Sequence, residues 1–212
     1  IEKAKIRKPL AIEDVVFRIG PRINAAGRME SGSKAVDLLV SQNPQEALTI
    51  CEAIDINNDD RRKKDSEITS EARRMVSEDS RMGNARTTVL FHQGWHKGVI
   101  GIVASRLIET YYRPTVILTE SKDGLVTGSA RSVPGYDLYQ AIESCSDLLE
   151  SFGGHMFAAG LTLKQENLQQ FRERFEKFVS ETIRDEHLVP SVNVDEEIPL
   201  EEVTMEFCRH LE

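Results

Sequence analysis

The sequence predicts an α/β protein: a mixed sheet of about five strands flanked by helices, preceded by a long connecting helix and a small helical N-terminal piece. Two observations favour this class. From residue 84 onward, short runs rich in β-branched residues alternate with segments of helical periodicity, which is typical of βαβ units. Before them, residues 44–80 contain no glycine and no proline after Pro44, which predicts one uninterrupted helix.

The predicted α/β part begins with a strand at residues 87–92, a helix at 99–112 and a strand at 114–119, so the two strands are expected to be parallel with a right-handed crossover. A turn at residues 122–124 predicts a hairpin to a third strand at 125–132. The remaining predicted elements are a helix at 136–152 ended by Gly153 and Gly154, a strand at 155–163, a helix at 166–183 and an edge strand at 192–194.

The predicted long helix has apolar residues at helical spacing at both ends, but residues 57–65 are polar on every face. A helix with a solvated middle and apolar ends is what a connector between two domains requires. A surface helix of a single domain is the alternative. For a connector, we expect residues 57–65 to be exposed or to face an interdomain groove.

Composition excludes several classes of protein. With 212 residues, 40% of them hydrophobic, the chain is neither disordered nor long enough for many domains, and no window is apolar enough to span a membrane. Its 3 cysteines lack CxxC or metal-ligand spacing, which argues against disulfides and zinc and favours a reducing, cytoplasmic setting. Because the first residue is Ile1 and the last residues follow a helical pattern, we expect a piece of a longer protein.

The net charge of −8 argues, at face value, against a nucleic-acid binder. The charge is uneven, however: +3 in residues 1–43, −4 in 44–80, zero in 81–163 and −7 in 164–212. The acidity therefore lies in the tail and the long helix, which leaves local positive charge for an anionic ligand elsewhere.

Two segments with glycines have the residue types of anion sites. Residues 18–29 place three arginines among Gly and Ala, and arginine forks well onto phosphate oxygens; solvated arginines on a structural turn are the alternative. Residues 94–101 lie between a predicted strand and helix, where α/β sheets bind ligands, although neither GxGxxG nor GK[ST] occurs. Within them, Trp95 either stacks on a base or closes the core.

Two further segments have the same character. Ser129 and Arg131 lie two residues apart on a predicted strand, so both project from one face and can hold one phosphate; an ordinary surface pair is the alternative. Gly153 and Gly154 allow an anion-binding nest of N–H groups beside His155; a helix C-cap followed by an ordinary histidine is the alternative. The 5 histidines have no metal-ligand spacing, and no HExxH or GxSxG is present, so these groups resemble half of an active site.

Six segments in this order resemble the RecJ-type single-strand-specific DNA exonucleases of the DHH phosphoesterase superfamily: RIGPRINAAGRM, NNDDRRKKD, GWHKGVIGIVASRL, PTVILTE, GSARSVPGYDL and SFGGHMFAAGLTL. The resemblance covers residues 9–184. It implies that residues 1–43 end a DHH domain, 44–80 form the connecting helix, 84–184 form a DHHA1-like domain, and 185–212 are an acidic lead-in to a missing oligonucleotide-binding domain.

The resemblance also implies the chemistry. Mn²⁺ or Mg²⁺, bound by the missing DHH domain and not by this chain, activates water for attack on the phosphodiester. Ser129 and Arg131 hold the terminal 5′ phosphate, and Arg22 or Arg28 faces the backbone near the scissile bond. The resemblance also implies a substrate loop of Gly153, Gly154 and His155. Trp95 and His96 are candidates for a base or backbone contact on their residue types and position, and not from the resemblance.

The expected function is that of the substrate-gripping part of a metal-dependent 5′–3′ exonuclease that hydrolyses single-stranded DNA in repair and recombination. We expect the fragment alone to be inactive, because no DHH triplet is present. The expected partner is single-stranded DNA with a 5′ phosphate, and no membrane is involved. A single-strand-binding protein or a helicase is a further candidate partner, and the sequence does not determine the oligomeric state. The alternatives are a phosphodiesterase of the superfamily acting on short oligonucleotides or cyclic dinucleotides, and a non-catalytic binding module.

Overall fold

The computed structural model describes residue 6 and residues 9–121 and 124–211. The N-terminal piece is helical, as predicted, and leads into one long helix. Its elements are α1 (Ile12–Asp14), a π-helical turn (Val15–Ile19), α2 (Gly20–Met29), α3 (Ser33–Val40) and the long α4 (Pro44–Glu78). The Asn43 side chain caps α4 by accepting from the backbone N–H groups of the first turn, and Pro44 occupies a first-turn position that needs no donor.

The rest of the chain forms the predicted mixed sheet of 5 strands, in the order β1-β2-β3-β5-β4. The strands are β1 (Thr88–Phe91), β2 (Thr115–Glu120), β3 (Leu125–Arg131), β4 (Leu149–His155) and β5 (Ala158–Lys164). The helices are α5 (Ile100–Tyr111), α6 (Leu138–Glu143), α7 (Leu168–Thr182) and α8 (Met205–Leu211). β1 and β2 are parallel and joined through α5, and β2 and β3 form an antiparallel hairpin, which confirms both pairings.

The prediction for residues 136–152 is wrong in its second half. Helix α6 ends at Glu143, and β4 runs from Leu149 through the two glycines to His155, where a two-residue turn leads into β5. β4 is an exposed edge strand, so it lacks the apolar alternation that marks a strand in sequence. The predicted edge strand at residues 192–194 is also wrong: these residues have no regular structure.

Apolar side chains pack on both faces of the sheet. On one face, Leu118 and Leu161 pack with Phe171 and Phe175 of α7. On the other, Ile117 packs against α5 and the second half of α4. A separate small cluster joins the N-terminal piece to the first half of α4, around Ala26, Ala35 and Ile54. None of the described helices is both long and apolar enough to cross a membrane.

The polar middle of α4 is not solvated on all sides as expected. Asn57, Asn58 and Asp65 are buried, whereas Asp59 and Lys63 are exposed. The buried side chains have polar partners: Asn57 donates to Glu30, Asn58 accepts from Arg61, and Asp65 is bound by Arg106. A polar seam therefore separates the apolar cluster at Ile54 from the one at Ile68. The connector role of α4 stays a prediction.

The Asp65–Arg106 pair generates a prediction about stability. Arg106 Nε lies 2.8 Å from Asp65 Oδ1 and Nη2 lies 2.9 Å from Oδ2, a bidentate pair in which Asp65 is 3% and Arg106 48% exposed. Arg106→Met removes the bidentate partner of the buried carboxylate and leaves it only a 3.4 Å hydrogen bond from Thr69 and the nearby charge of Arg61, so it should lower the free energy of unfolding by about 3 kcal/mol. Asp65→Asn should cost less, because the free guanidinium can turn to water.

Urea unfolding measures both changes. The control is Arg74→Met, which removes an exposed arginine whose i,i+4 pair with Glu78 spans 3.8 Å and should cost about 0.5 kcal/mol or less. A larger loss for Asp65→Asn than for Arg106→Met would contradict the assigned asymmetry.

Candidate anion-binding site

Four of the five predicted phosphate-binding residues of β3 and β4 lie on one face of the sheet; the fifth, Gly154, lies opposite Ala159 on the other face. Residues directly opposite each other on neighbouring strands project to the same face. The two rows are Ser129, Gly160, Gly153 and Arg131, Ala158, His155. Strand β5 lies between β3 and β4. In each row, the β3 residue and the β4 residue are therefore roughly 10 Å apart, measured between their backbones. This is the face that α5 covers at β2 and β3, whereas the β5 and β4 members Gly153, His155 and Gly160 are exposed.

Ser129 and Arg131 contact each other beside the first turn of α5. Arg131 Nη1 donates to Ser129 Oγ at 3.0 Å and to the Ala130 carbonyl at 2.8 Å. A Cβ placed on Gly101 of α5 would lie 2.9 Å from both Arg131 Nη2 and Ser129 Oγ. The glycine therefore lets the hydroxyl and the guanidinium lie against the positive end of a helix, where an anion is favoured.

Arg28 is held close to this pair by the end of α2. Its Nη1 donates to the Gly98 carbonyl at 3.4 Å, and a Cβ on Gly98 would lie 2.0 Å from the Arg28 carbonyl oxygen. Burial, with the positive charge of Arg28 as the second cause, lowers the pKa of Arg131, although a guanidinium stays protonated at neutral pH. Among the described residues, the hydrogen bonds of these two arginines go to the Gly98 and Ala130 carbonyls and the Ser129 hydroxyl, and none goes to a carboxylate. Two like charges held close together without a counterion attract an anion, so these residues are a candidate anion site.

His96 adds a hydrogen-bond donor next to the same loop. Its Nδ1 accepts from the Gly98 N–H at 3.1 Å, which places the proton of a neutral ring on Nε2. Burial and the charge of Lys64 on α4 lower the His96 pKa, so the ring is neutral at neutral pH.

Trp95 is a core residue in the structure. It is 4% exposed, its Nε1 donates to Glu71 Oε2 at 2.7 Å, and its carbonyl accepts from Thr119 Oγ1. Trp95 was considered either for stacking on a base or for closing the core. The structure places its ring in the core, where its faces are not open to a base.

Arg22 lies apart from the group. Its Nε donates to Asp55 Oδ1 and its Nη1 to the Arg18 carbonyl, both at 2.6 Å, which fastens α2 to α4. The segment considered as a turn is a helix, and its small residues Ala25 and Ala26 are buried against α4. Arg22 and Arg28 are six residues apart, so they lie on different sides of α2.

The glycine pair of β4 does not end a helix and does not form a nest, because successive N–H groups of an extended strand point in opposite directions. Gly154 has φ 152°, and a Cβ there would lie 2.3 Å from the Ala158 carbonyl oxygen, so only glycine fits. Gly153 faces open space. His155 Nδ1 accepts from the Phe157 N–H. In a neutral ring this leaves the Nε2–H as a donor at the exposed end of β4.

Arg61 and Arg106 have no role in the sequence-based expectations, although both lie close to the group. They flank the polar seam of α4, and the positive charge of Arg28 acts on Arg61. The only signal for Arg61 in the sequence was the run of charges in residues 57–65, in which nothing distinguishes a buried arginine from a solvated one, and Arg106 stands alone in a helical segment.

Metal binding has no support within the described residues. No group of three or more His, Cys, Asp or Glu side chains able to hold a metal ion occurs in residues 9–121 and 124–211. The residues present therefore do not fit Mn²⁺ or Mg²⁺.

Comparisons with known proteins give a domain match and several similar proteins. Residues 84–181 match the DHHA1 domain. The single-stranded-DNA-specific exonuclease RecJ of Bacillus subtilis (strain 168) is 39% identical over 196 residues, which is 92% of this chain and 25% of that protein. RecJ of Escherichia coli (strain K12) is 35% identical over 211 residues, which is 95% of this chain and 36% of that protein.

Solved structures of RecJ also superpose on this chain. RecJ from Thermus thermophilus in complex with Mg²⁺ superposes with a TM-score of 0.70 at 32% identity, covering 80% of this chain and 26% of that chain. An exonuclease RecJ bound to manganese superposes with a TM-score of 0.72 at 31% identity, covering 85% of this chain and 44% of that chain.

The five-stranded sheet and the matched segment define a protein that carries a DHHA1 domain. The similarity continues through α2 and α4, so most of this chain is homologous to RecJ exonucleases. The chain spans between 25% and 36% of the length of the two curated relatives described above.

The close approach at Gly98 generates a second prediction. Gly98→Ala places a methyl group against the backbone of Arg28, which cannot yield without moving the end of α2. It should destabilise the protein by about 1–3 kcal/mol, as overpacking does. Thermal unfolding measures the change, with Gly83→Ala as the matched control, because no atom lies within 4 Å of a Cβ at Gly83. Equal midpoints for the two variants would contradict the packing at Gly98.

Proposed function

We propose that this chain is the substrate-gripping part of a metal-dependent 5′–3′ exonuclease that hydrolyses single-stranded DNA in repair and recombination. The observation that carries the proposal is the contact of Ser129 with Arg131 at the first turn of α5, close to the charge of Arg28. A terminal phosphate carries about −1.5 to −2 charges and three free oxygens, more than a phosphodiester does. Two guanidinium groups and a hydroxyl suit that group in charge and in donors.

The proposed domain organisation follows the matched segment. Residues 84–184 are the DHHA1-like domain, which agrees with the DHHA1 match over 84–181. Residues 44–80 are the connecting helix, residues 1–43 the end of a DHH domain, and residues 185–212 the lead-in to an oligonucleotide-binding domain. The helical bounds of α4 and the separate apolar cluster at Ile54 support the first boundary.

Each binding residue has a role that follows from its surroundings. Ser129 and Arg131 hold the terminal 5′ phosphate. Arg28 faces the backbone near the scissile bond and is preferred to Arg22, because Asp55 already pairs with Arg22. Gly153 leaves the exposed face of β4 free of a side chain so that a strand can lie on it, whereas Gly154 lies on the opposite face, where only glycine fits against β5. His155 donates from its Nε2–H. His96 donates in the same way beside α5.

In this proposal, the metal is bound by a part of the parent protein outside this chain. The solved relatives are described as complexes with Mg²⁺ and with manganese, which supports a divalent ion as cofactor. A DHH domain would hold it, so this chain alone should be inactive. We further propose a cytoplasmic enzyme whose partner is single-stranded DNA with a 5′ phosphate, working beside a single-strand-binding protein or a helicase.

A phosphodiesterase for short oligonucleotides or cyclic dinucleotides, and a non-catalytic binding module, are the competing functions. The RecJ relatives named above are single-stranded-DNA-specific exonucleases, which favours a long strand as substrate. Activity on strands of increasing length separates the three functions.

The assignment of Arg131 generates the next prediction. In the full-length protein with metal, Arg131→Ala should lower kcat/KM on 5′-phosphorylated single-stranded DNA by roughly 10- to 100-fold, because it removes a charge-assisted hydrogen bond. The loss should be much smaller on a 5′-hydroxyl strand. Arg81→Ala is the control, because Arg81 is exposed and pairs with Asp79, its neighbour on the surface. An equal loss of kcat/KM on both substrates would contradict the assignment of Arg131 to the terminal phosphate.

Gly101→Ala gives an independent test of the same pocket. The added methyl lies 2.9 Å from Ser129 Oγ and from Arg131 Nη2, so it should displace both and raise KM for a 5′-phosphorylated strand. Stability should hold or rise by about 0.5–1 kcal/mol, because alanine suits a helix better than glycine. Kinetics and thermal unfolding together check this. A stable variant with an unchanged KM would show that the phosphate lies elsewhere.

A further inference from the structure

A second cluster of positive charge lies between α4 and α5, in a polar cavity of about 360 Å³. We call it the arginine cavity and define it by Arg61, Arg62, Arg73 and Arg106. Among the described residues, Asp65 is the only carboxylate that lines it, so the lining carries an excess of positive charge in a chain with a net charge of −8. The described lining also contains no aromatic side chain.

The groups of the arginine cavity are not satisfied by one another. Both oxygens of Asp65 are occupied by Arg106. Arg61 donates through Nη2 to Asn58, but its Nε is buried and has no hydrogen-bond partner within the described part of the chain. Burial lowers the pKa of Arg61, Asp65 counteracts this, and Arg62, Arg28 and Arg106 lower it further. A buried donor without an acceptor is costly, so an anionic ligand that reaches it is favoured.

The arginine cavity lies near the anion-binding site. The charge of Arg28 acts on both Arg131 and Arg61, and Arg28 itself donates to the Gly98 carbonyl just before α5. On α5, Gly101 lies against Ser129 and Arg131, and Arg106 follows five residues later. Five residues rise about 7.5 Å along a helix and turn about 140° around it, so one phosphate group cannot contact both places. Two phosphates of one strand can contact both.

We infer that the arginine cavity is a second phosphate-binding site, which holds an internal phosphate of the strand whose 5′ end lies at Ser129 and Arg131. The inference rests on the proposed function. A lining of arginines without aromatic side chains contacts the backbone and not the bases, so binding there is independent of sequence. The ligand class is therefore the phosphodiester backbone of a single strand.

The test uses the full-length protein and two matched double variants. Arg62→Gln/Arg73→Gln removes two positive charges from the rim of the cavity and leaves the Arg61 and Arg106 contacts intact. Lys63→Gln/Arg74→Gln removes two charges from the next positions of α4, which are exposed and do not line the cavity. Two ligands are compared in chelator, which prevents hydrolysis: thymidine 5′-monophosphate and a 5′-phosphorylated oligothymidylate of about 12 nucleotides.

The cavity variant should bind the oligonucleotide about 5- to 20-fold more weakly at about 0.1 M salt, and its salt slope should be smaller by about 1.4, since each phosphate contact on a single strand contributes about 0.7. Its affinity for the mononucleotide should match that of the wild type, and the control should stay within about twofold for both ligands. Arg62→Lys/Arg73→Lys keeps the charges and should keep the slope. If the glutamine pair does not fold, Arg62→Gln alone should lower the slope by about 0.7.

Three outcomes separate the failures. Equal oligonucleotide affinities of the cavity and control variants overturn the second site, as does an equal loss for the mononucleotide. In both cases, a loss on both ligands in Arg131→Ala shows that the terminal-phosphate site itself stands. If Arg131→Ala changes neither ligand, the proposed function fails, and the second site fails with it.

Discussion

The contact between the Arg28 backbone and Gly98 holds the site together. It joins the end of α2, in the N-terminal piece, to the loop that leads into α5 in the α/β part. Backbone packed against backbone has few conformations to choose from, so the position of Arg28 relative to Arg131 is fixed by the fold and not by flexible side chains alone. Without this contact the two guanidinium groups would separate, since their charges repel.

An acidic protein can present a site for a polyanion because pairing, and not the total charge, decides which cations are available. Several arginines of this chain are neutralised by neighbouring carboxylates, as Arg22 is by Asp55 and Arg81 by Asp79. Arg28 and Arg131 have no such partner among the described residues, and the carboxylate of Asp65 in the arginine cavity is already bound to Arg106. The excess charge is concentrated where α2, α4, α5 and β3 meet.

The order of the elements could largely be predicted from the sequence, because buried strands and amphipathic helices each have a clear period. β4 could not, because an edge strand with two exposed glycines carries no apolar alternation. The middle of α4 could not either: the partner of Asp65 is Arg106, 41 residues further along the chain, and no local pattern marks such a pair. Within the site, the residue types of Ser129, Arg131 and Arg28 were informative, whereas the burial of Trp95 depends on packing that only the fold shows.

The residues of the candidate site lie on rigid elements, which fixes their spacing. Ser129 and Arg131 lie on the strand β3, which is paired on both sides, and Gly101 and Arg106 lie on one helix. The spacing between the terminal-phosphate site and the arginine cavity is therefore set by backbone hydrogen bonds, which change little when a ligand binds. In the proposed function, a strand held at both places would have a fixed direction relative to β3. Such a site would select a single strand by the spacing of its phosphates without base contacts, which suits the proposed exonuclease.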